Sequence, residues 1–294
     1  MYIKKMIAVI LTLSIALSFG ACKKADEKPE TLVSTEEAIA ILNNALEVAS
    51  LIESYSAEMD LEFKFRNNDG DLSAEVSTDI LLSSKGQKYI EIETTTNGET
   101  MGYSEFYVDT TANSEEKELY MFYGEQWFKS KANEEELYYL LGQYYMPDIT
   151  RIFLMVTTGA SVVGEETIDG KIVTRVDGIV AEDVIANTLI YTGAFVATGM
   201  GTVTQEYFDG AKAMPISFWI DEDGNVVKLV FDAGPAYQTI SDNLFNVVKD
   251  LEGYENAQKL VVNTYAFEIK MGDINKENLI EIPQEALDAE LLEE

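Results

Sequence analysis

Between Tyr55 and Arg66 the chain alternates without a break. Tyr55, Ala57, Met59, Leu61, Phe63 and Phe65 are apolar or aromatic, and Ser56, Glu58, Asp60, Glu62, Lys64 and Arg66 are polar. A period of two excludes a helix here, because helical apolar residues recur every third or fourth position. It dictates a strand with one buried and one wet face. A turn at Asn67-Asn68-Asp69-Gly70-Asp71 follows, and Ala74, Val76, Thr78, Ile80 and Leu82 resume the alternation. Further strands are expected at 88–95, 103–109, 118–123 and 126–130, with turn residues at 84–86, 97–98 and 124–125 separating them. Sequential strands with one polar face, joined by short turns, make an antiparallel meander and not a parallel α/β sheet.

An apolar sheet face needs a cover, and the periodicity supplies helices for it. Ile39, Leu42, Leu46, Ala49 and Ile52 form one stripe of a helix over 35–53, with Ser34 as N-cap and Glu37 three residues on. In mid-chain, Leu137, Leu140, Leu141, Tyr144 and Tyr145 fit a helix that Pro147 ends, and Ile149, Ile152, Phe153 and Val156 restart the pattern. A second strand set follows at 161–168, 171–178, 202–208, 215–221 and 225–232, then a short helix near 241–250 and a last strand at 259–270. Residues 184–205 carry no charge. Their glycines and threonines make a poor membrane span, so a helix over about 181–191 followed by a Gly-rich connector is expected. The sum is a single α+β domain over 34–276, a large antiparallel sheet wrapped on a few helices. An acidic, loose tail occupies 277–294.

The first residues do not belong to that fold. Lys4 and Lys5 precede an uncharged apolar stretch from Ile7 to Phe19, too short to cross a bilayer but of the length of a secretory leader. Gly20 and Ala21 then precede Cys22, the only cysteine. This pattern resembles a bacterial lipoprotein signal over 1–21, with Phe19 at a position where Leu is usual. The resemblance implies lipidation of Cys22, an extracytoplasmic location and a membrane anchor. Residues 22–33, polar and interrupted by Pro29, read as a flexible tether. Its Lys23, Lys24 and Lys28 suit an anionic membrane surface, whereas the acidic body should be held off it.

Composition removes whole classes of function. The chain has no histidine and one cysteine, which excludes a Cys/His zinc site, an internal disulfide framework and a His-based triad. A net charge of −31 is incompatible with binding nucleic-acid phosphates. Asp221-Glu222-Asp223-Gly224-Asn225 suggests calcium, but its glycine falls at the fourth loop position and not the sixth, so a hairpin turn is expected. No phosphate loop, activated nucleophile or ligand set for a metal or cofactor is readable, and binding rather than catalysis is expected.

Several short patterns recur together: Ser54-Tyr55 opening a long strand, Trp127-Phe128-Lys129 within one, and the turn Ile168-Asp169-Gly170-Lys171. To these is added Trp219-Ile220-Asp221-x-Asp223-Gly224-x-Val226-x-Lys228. With the strand order over 35–270 they resemble the lipid-anchored half-barrel lipoproteins of Gram-positive bacteria, related in fold to LolA and the LppX/LprG group. That resemblance implies a curved sheet around a helical plug, enclosing an apolar cavity for a lipid or other amphiphile. It brings no fixed functional residue besides Cys22. Candidate cavity-lining residues are Trp127, Tyr144, Tyr145, Phe153, Met155 and Phe195, with 194–200 expected beside the pocket. The competing reading is a cell-surface protein that recognises a protein or wall polymer through its acidic face.

Overall fold

The alternating segments pair as one antiparallel sheet. Its strands are β1 (Tyr55–Asn67), β2 (Gly70–Leu82), β3 (Lys88–Thr96), β4 (Glu99–Asp109), β5 (Lys117–Tyr123), β6 (Gln126–Ala132), β7 (Thr157–Ile168), β8 (Lys171–Val180), β9 (Met214–Asp221), β10 (Val226–Asp232) and β11 (Val261–Gly272). The computed structural model describes residues 34–68, 70–110, 116–195, 203–251 and 257–292. The leader, Cys22, the tether and most of the connector expected at 194–200 lie outside these residues. In space the strands run β6-β5-β4-β3-β2-β1-β11-β10-β9-β8-β7. Every neighbour in that order is consecutive in sequence except at one seam, where β1 lies antiparallel to β11. β6 and β7 do not meet, so the sheet is an open half-barrel.

The pleat sorts the residues as the alternation demands. Tyr55, Ala57, Leu61, Phe63 and Phe65 are buried on the concave face, while Glu58, Asp60 and Lys64 are exposed on the other. The concave face is covered by α1 (Glu36–Ala49), α2 (Glu134–Leu141), α3 (Met146–Val156), α4 (Ile185–Tyr191) and α5 (Gly234–Val248). Strands and helices share one hydrophobic core, in which Phe153 of α3 is fully buried, its ring centroid 4.6 Å from that of Phe231. Among the described residues the strands form one sheet with a hydrophobic core on each face, which is what a self-contained domain needs to fold. No helix among the described residues is long and apolar enough to cross a membrane.

Local details differ from the sequence expectations for identifiable reasons. Thr35, not Ser34, caps α1 by accepting from the Ala38 amide at 3.2 Å. Ser34 is instead used to accept from the Ala160 amide at the start of the second strand set. Helix α2 ends at Leu141, and Gly142–Tyr144 form a 3-10 turn, so Tyr144 and Tyr145 lie on a connector and not on a helix. Pro147 does not end a helix; it sits in the first turn of α3, where its missing N–H costs nothing. The strand expected at 202–208 contains a 3-10 turn, Gln205–Phe208. Pro235 likewise opens α5 well before the predicted start.

The segment after Glu277 is not loose. Ile280 and Ala286, the latter in a short helix α6 (Gln284–Leu287), are buried against Tyr107 and Tyr120 on the convex face. The Asn278 amide donates to the Leu82 carbonyl, and Leu292 N–H donates to the Lys129 carbonyl at 2.8 Å. Its acidic residues up to Glu290 are exposed to water, while Ile280, Ile282 and Ala286 cover aromatic rings that would otherwise be wet.

Candidate functional site

The concave face meets its helical cover along two small apolar clefts, one on each side of Tyr144. In the larger, Met59, Phe267 and Ile269 of the seam strands and Phe231 of β10 form the floor. Ile149 and Phe153 of α3 form one wall, and Gln143, Tyr144 and Thr192 to Ala194 form the rim. In the smaller, Ile80, Leu82 and Ile90 lie beneath Leu141, Tyr144 and Tyr145, with Tyr55 and Lys88 at the side. The free space for the centre of a water molecule is ≈ 20 Å³ in the first and ≈ 10 Å³ in the second. That is room for about one water each, against about 300–1,000 Å³ for a pocket holding a sizeable ligand. Sheet and cover are closed on each other.

What closes them is specific. The Tyr55 hydroxyl donates to the Tyr144 carbonyl at 3.2 Å and accepts from the Met146 amide at 3.1 Å. The Tyr265 hydroxyl donates to the Ala194 carbonyl at 2.9 Å. Burial raises the Tyr55 phenol far above its ordinary value, outweighing the Met146 amide, which lowers it. The Tyr144 phenol is pushed by burial up to about 12. Both phenols are thus neutral, and that of Tyr55 serves as a hydrogen-bonding pin. The two rim segments cross at Gly193, whose φ is +67° and where an added Cβ would stand 2.7 Å from Gln143 Cβ. Only glycine allows that approach.

The predicted lining residues separate. Tyr144 and Phe153 border the larger cleft, and Tyr144 and Tyr145 the smaller. Phe195 is buried just beyond the larger rim, packed on Phe208, Tyr237 and Tyr265. Trp127 lies on the opposite, convex face with Tyr107 and Phe122, because it is out of phase with the inward residues of β6. Met155 is exposed, on the far side of α3 from Phe153. The residues that sequence reasoning missed are the two tyrosine pins and Lys88. Lys88 was detectable, because it falls in phase with Ile90 and Ile92 on an inward-facing strand side.

The convex face carries the charge. Glu105, Glu91, Asp79 and Glu58 stand directly opposite one another across β4, β3, β2 and β1. Burial, followed by the fields of Glu91, Glu58 and Asp60, raises the Asp79 carboxyl above its ordinary value. Beyond the seam the row turns basic: Lys228 and Arg175 each lie 5.1 Å from the ring centroid of Trp219. Asp221 closes its hairpin by accepting from the Asp223 and Asn225 amides. No group of three or more carboxylate, thiol or imidazole side chains placed to hold a metal occurs among the described residues.

No protein-family model matches the sequence, and no curated protein does. In fold, the chain is similar to the crystal structure of LprF from Mycobacterium bovis, at 15% identity over 86% of this chain and 99% of that one, with a TM-score of 0.46. It is similar to the lipoprotein LppX from Mycobacterium tuberculosis at 13% identity over 84% and 100%, with a TM-score of 0.43. A LolA-superfamily protein from Nitrosomonas europaea matches at 10% identity over 83% and 94%, with a TM-score of 0.24. These are likenesses of shape, at identities too low to carry residue roles across.

Proposed function

We propose that this is an extracytoplasmic protein, anchored through a lipid on Cys22, that binds a lipid or other amphiphile between its concave sheet face and the helical cover, without catalysis. The observation that carries the reading is how that cover is made. An apolar surface spanning Met59, Phe231, Phe267 and Ile269 is roofed by short helical pieces interrupted at Gly142 and Gly193, and each rim segment is pinned to the sheet by one tyrosine hydroxyl. A roof in pieces, held by few polar bonds over continuous apolar surface, can lift to admit an acyl chain and reclose. The clefts on either side of Tyr144 are where lifting would start.

Native mass spectrometry of a chain starting at Lys23, incubated with a membrane lipid extract and desalted without detergent, tests the reading. A retained lipid, with increased hydrogen exchange across 142–146 and 192–195, is the expected result. A chain that retains nothing, with both segments unchanged, removes the carrier reading and leaves recognition through the acidic convex face.

A further inference from the structure

One cation faces the wrong way for a surface charge. Along β3, Tyr89, Glu91 and Glu93 point outward, and Lys88, Ile90 and Ile92 share the concave side. Across the sheet Lys88 stands in the row Tyr55, Leu82, Lys88, Val108, where every other member is buried. It borders the smaller cleft together with Ile80, Leu82, Ile90 and Leu141. In a chain whose acids outnumber its bases 52 to 21, it has no ion-pair partner among the described residues. Its ammonium lies 5.6 Å from the Tyr145 ring centroid, and Asp148 and Glu134 reach it only through their longer-range fields. Lys85, Lys131, Lys171 and Lys249 also lack ion pairs, but all four are exposed to water.

We propose that Lys88 anchors the anionic headgroup, a carboxylate or phosphate, of a single-chain amphiphile whose tail enters beneath Tyr144 and Tyr145. This rests on the carrier reading and names its ligand class. The physical argument is one of compensation. Burial disfavours the charged form of Lys88 and lowers its pKa, and the fields of Asp148 and Glu134 only partly oppose this. An anion within hydrogen-bond distance supplies the missing counter-ion, and the apolar floor next to it takes the chain. Within the screening length of about 8 Å at physiological salt, the net charge of −31 repels free anions. The acyl chain must therefore bring the headgroup in, which selects amphiphiles over small anions.

The test is calorimetric titration of the chain starting at Lys23 with oleate, oleyl alcohol and inorganic phosphate, each below its aggregation limit. Oleate should bind about tenfold more tightly than oleyl alcohol, and phosphate alone should not bind. Lys88→Gln should abolish the preference for oleate, and Lys88→Arg should keep it. In the unsubstituted protein, the NMR titration of the Lys88 side chain should move to higher pH when oleate is bound, a readout independent of how the variants fold. Equal binding of oleate and oleyl alcohol, or an unchanged preference in Lys88→Gln, overturns the anchor and leaves the carrier reading standing. Binding of phosphate without a tail overturns the ligand class. Failure of both oleyl compounds to bind overturns the carrier reading and this inference with it.

Discussion

The Tyr265 hydroxyl, projecting from the middle of β11, donates a hydrogen bond of 2.9 Å to the Ala194 carbonyl at the end of α4. Its counterpart Tyr55 performs the same service for Tyr144 and Met146 one strand away. Two neighbouring strands thus hold two separate pieces of the roof. Tyr265→Phe and Tyr55→Phe should each cost about 1–3 kcal/mol in urea unfolding, because each removes a buried hydroxyl from its backbone partners. Hydrogen exchange should rise at 192–195 in the first variant and at 142–146 in the second. A rise spread evenly over the helices would contradict the pinning role.

Gly193 is needed for both its backbone angle and its lack of a side chain. Gly193→Ala meets a positive φ and a clash with Gln143, and should cost about 2–5 kcal/mol. Gly98→Ala meets a φ of +82° with nothing within 4 Å, and should cost about 1–2 kcal/mol. Equal losses in the two variants would mean that the rim crossing is not tightly packed.

Asp79 makes the acidic ladder testable. Its carboxyl is held above its ordinary value, so the folded protein takes up that proton more readily than the unfolded chain. The destabilisation is full above the raised folded-state value and is relieved as pH falls through it towards the unfolded value. Asp79→Asn should therefore raise Tm near pH 7, with a gain that shrinks to nothing near pH 4 or slightly below. A gain independent of pH would point to packing and not charge.

Ending the chain at Glu277 removes Ile280 and Ala286 from the convex aromatic cluster. The truncated protein should lose about 2–4 kcal/mol of stability, and Trp127 emission should shift to the red. The other tryptophan, Trp219, sits on β9 away from that cluster and serves as internal control. Unchanged emission and Tm would mean that the tail does not cover the cluster in solution.

Cys22→Ala should move the protein from the membrane fraction to the medium. Equal membrane retention of the variant would remove the anchor from the proposed function.

Strict alternation made β1 and β2 legible almost residue by residue, and the turn at Asp221 to Asn225 marked the β9–β10 hairpin. The pairing of β1 with β11 was not legible, because register between strands so far apart in sequence is set by shared burial and leaves no local signature. Pro147 was misjudged because proline both stops and starts helices, and only the position of the 3-10 turn before it decides. At the site, Tyr144, Tyr145 and Phe153 were readable as large apolar groups near one another. Trp127 and Met155 were not separable from them, since aromatic or apolar character says nothing about which side of an element a residue occupies. Lys88 carried the opposite lesson: a charge in phase with Ile90 and Ile92 was a visible break in the pattern.

The seam also sets the order in which the chain can assemble. β1 to β6 form a meander joined by short connections, and β7 to β11 pair in sequence order with a helix between β8 and β9 and another between β10 and β11, whereas joining Ser56 to Gly272 closes most of the chain. Loop-closure entropy grows slowly with length, by about 0.6 kcal/mol per doubling, but it is spent before any seam contact rewards it. The two halves are therefore free to form as separate kinetic units, with the seam as the late step. A gene rearranged to link the end of β11 to the start of α1, and opened between β6 and β7, would make every pair of neighbouring strands in the same sheet consecutive in sequence. Such a permutant should reach the same structure faster, because the slow closure would have become a local one.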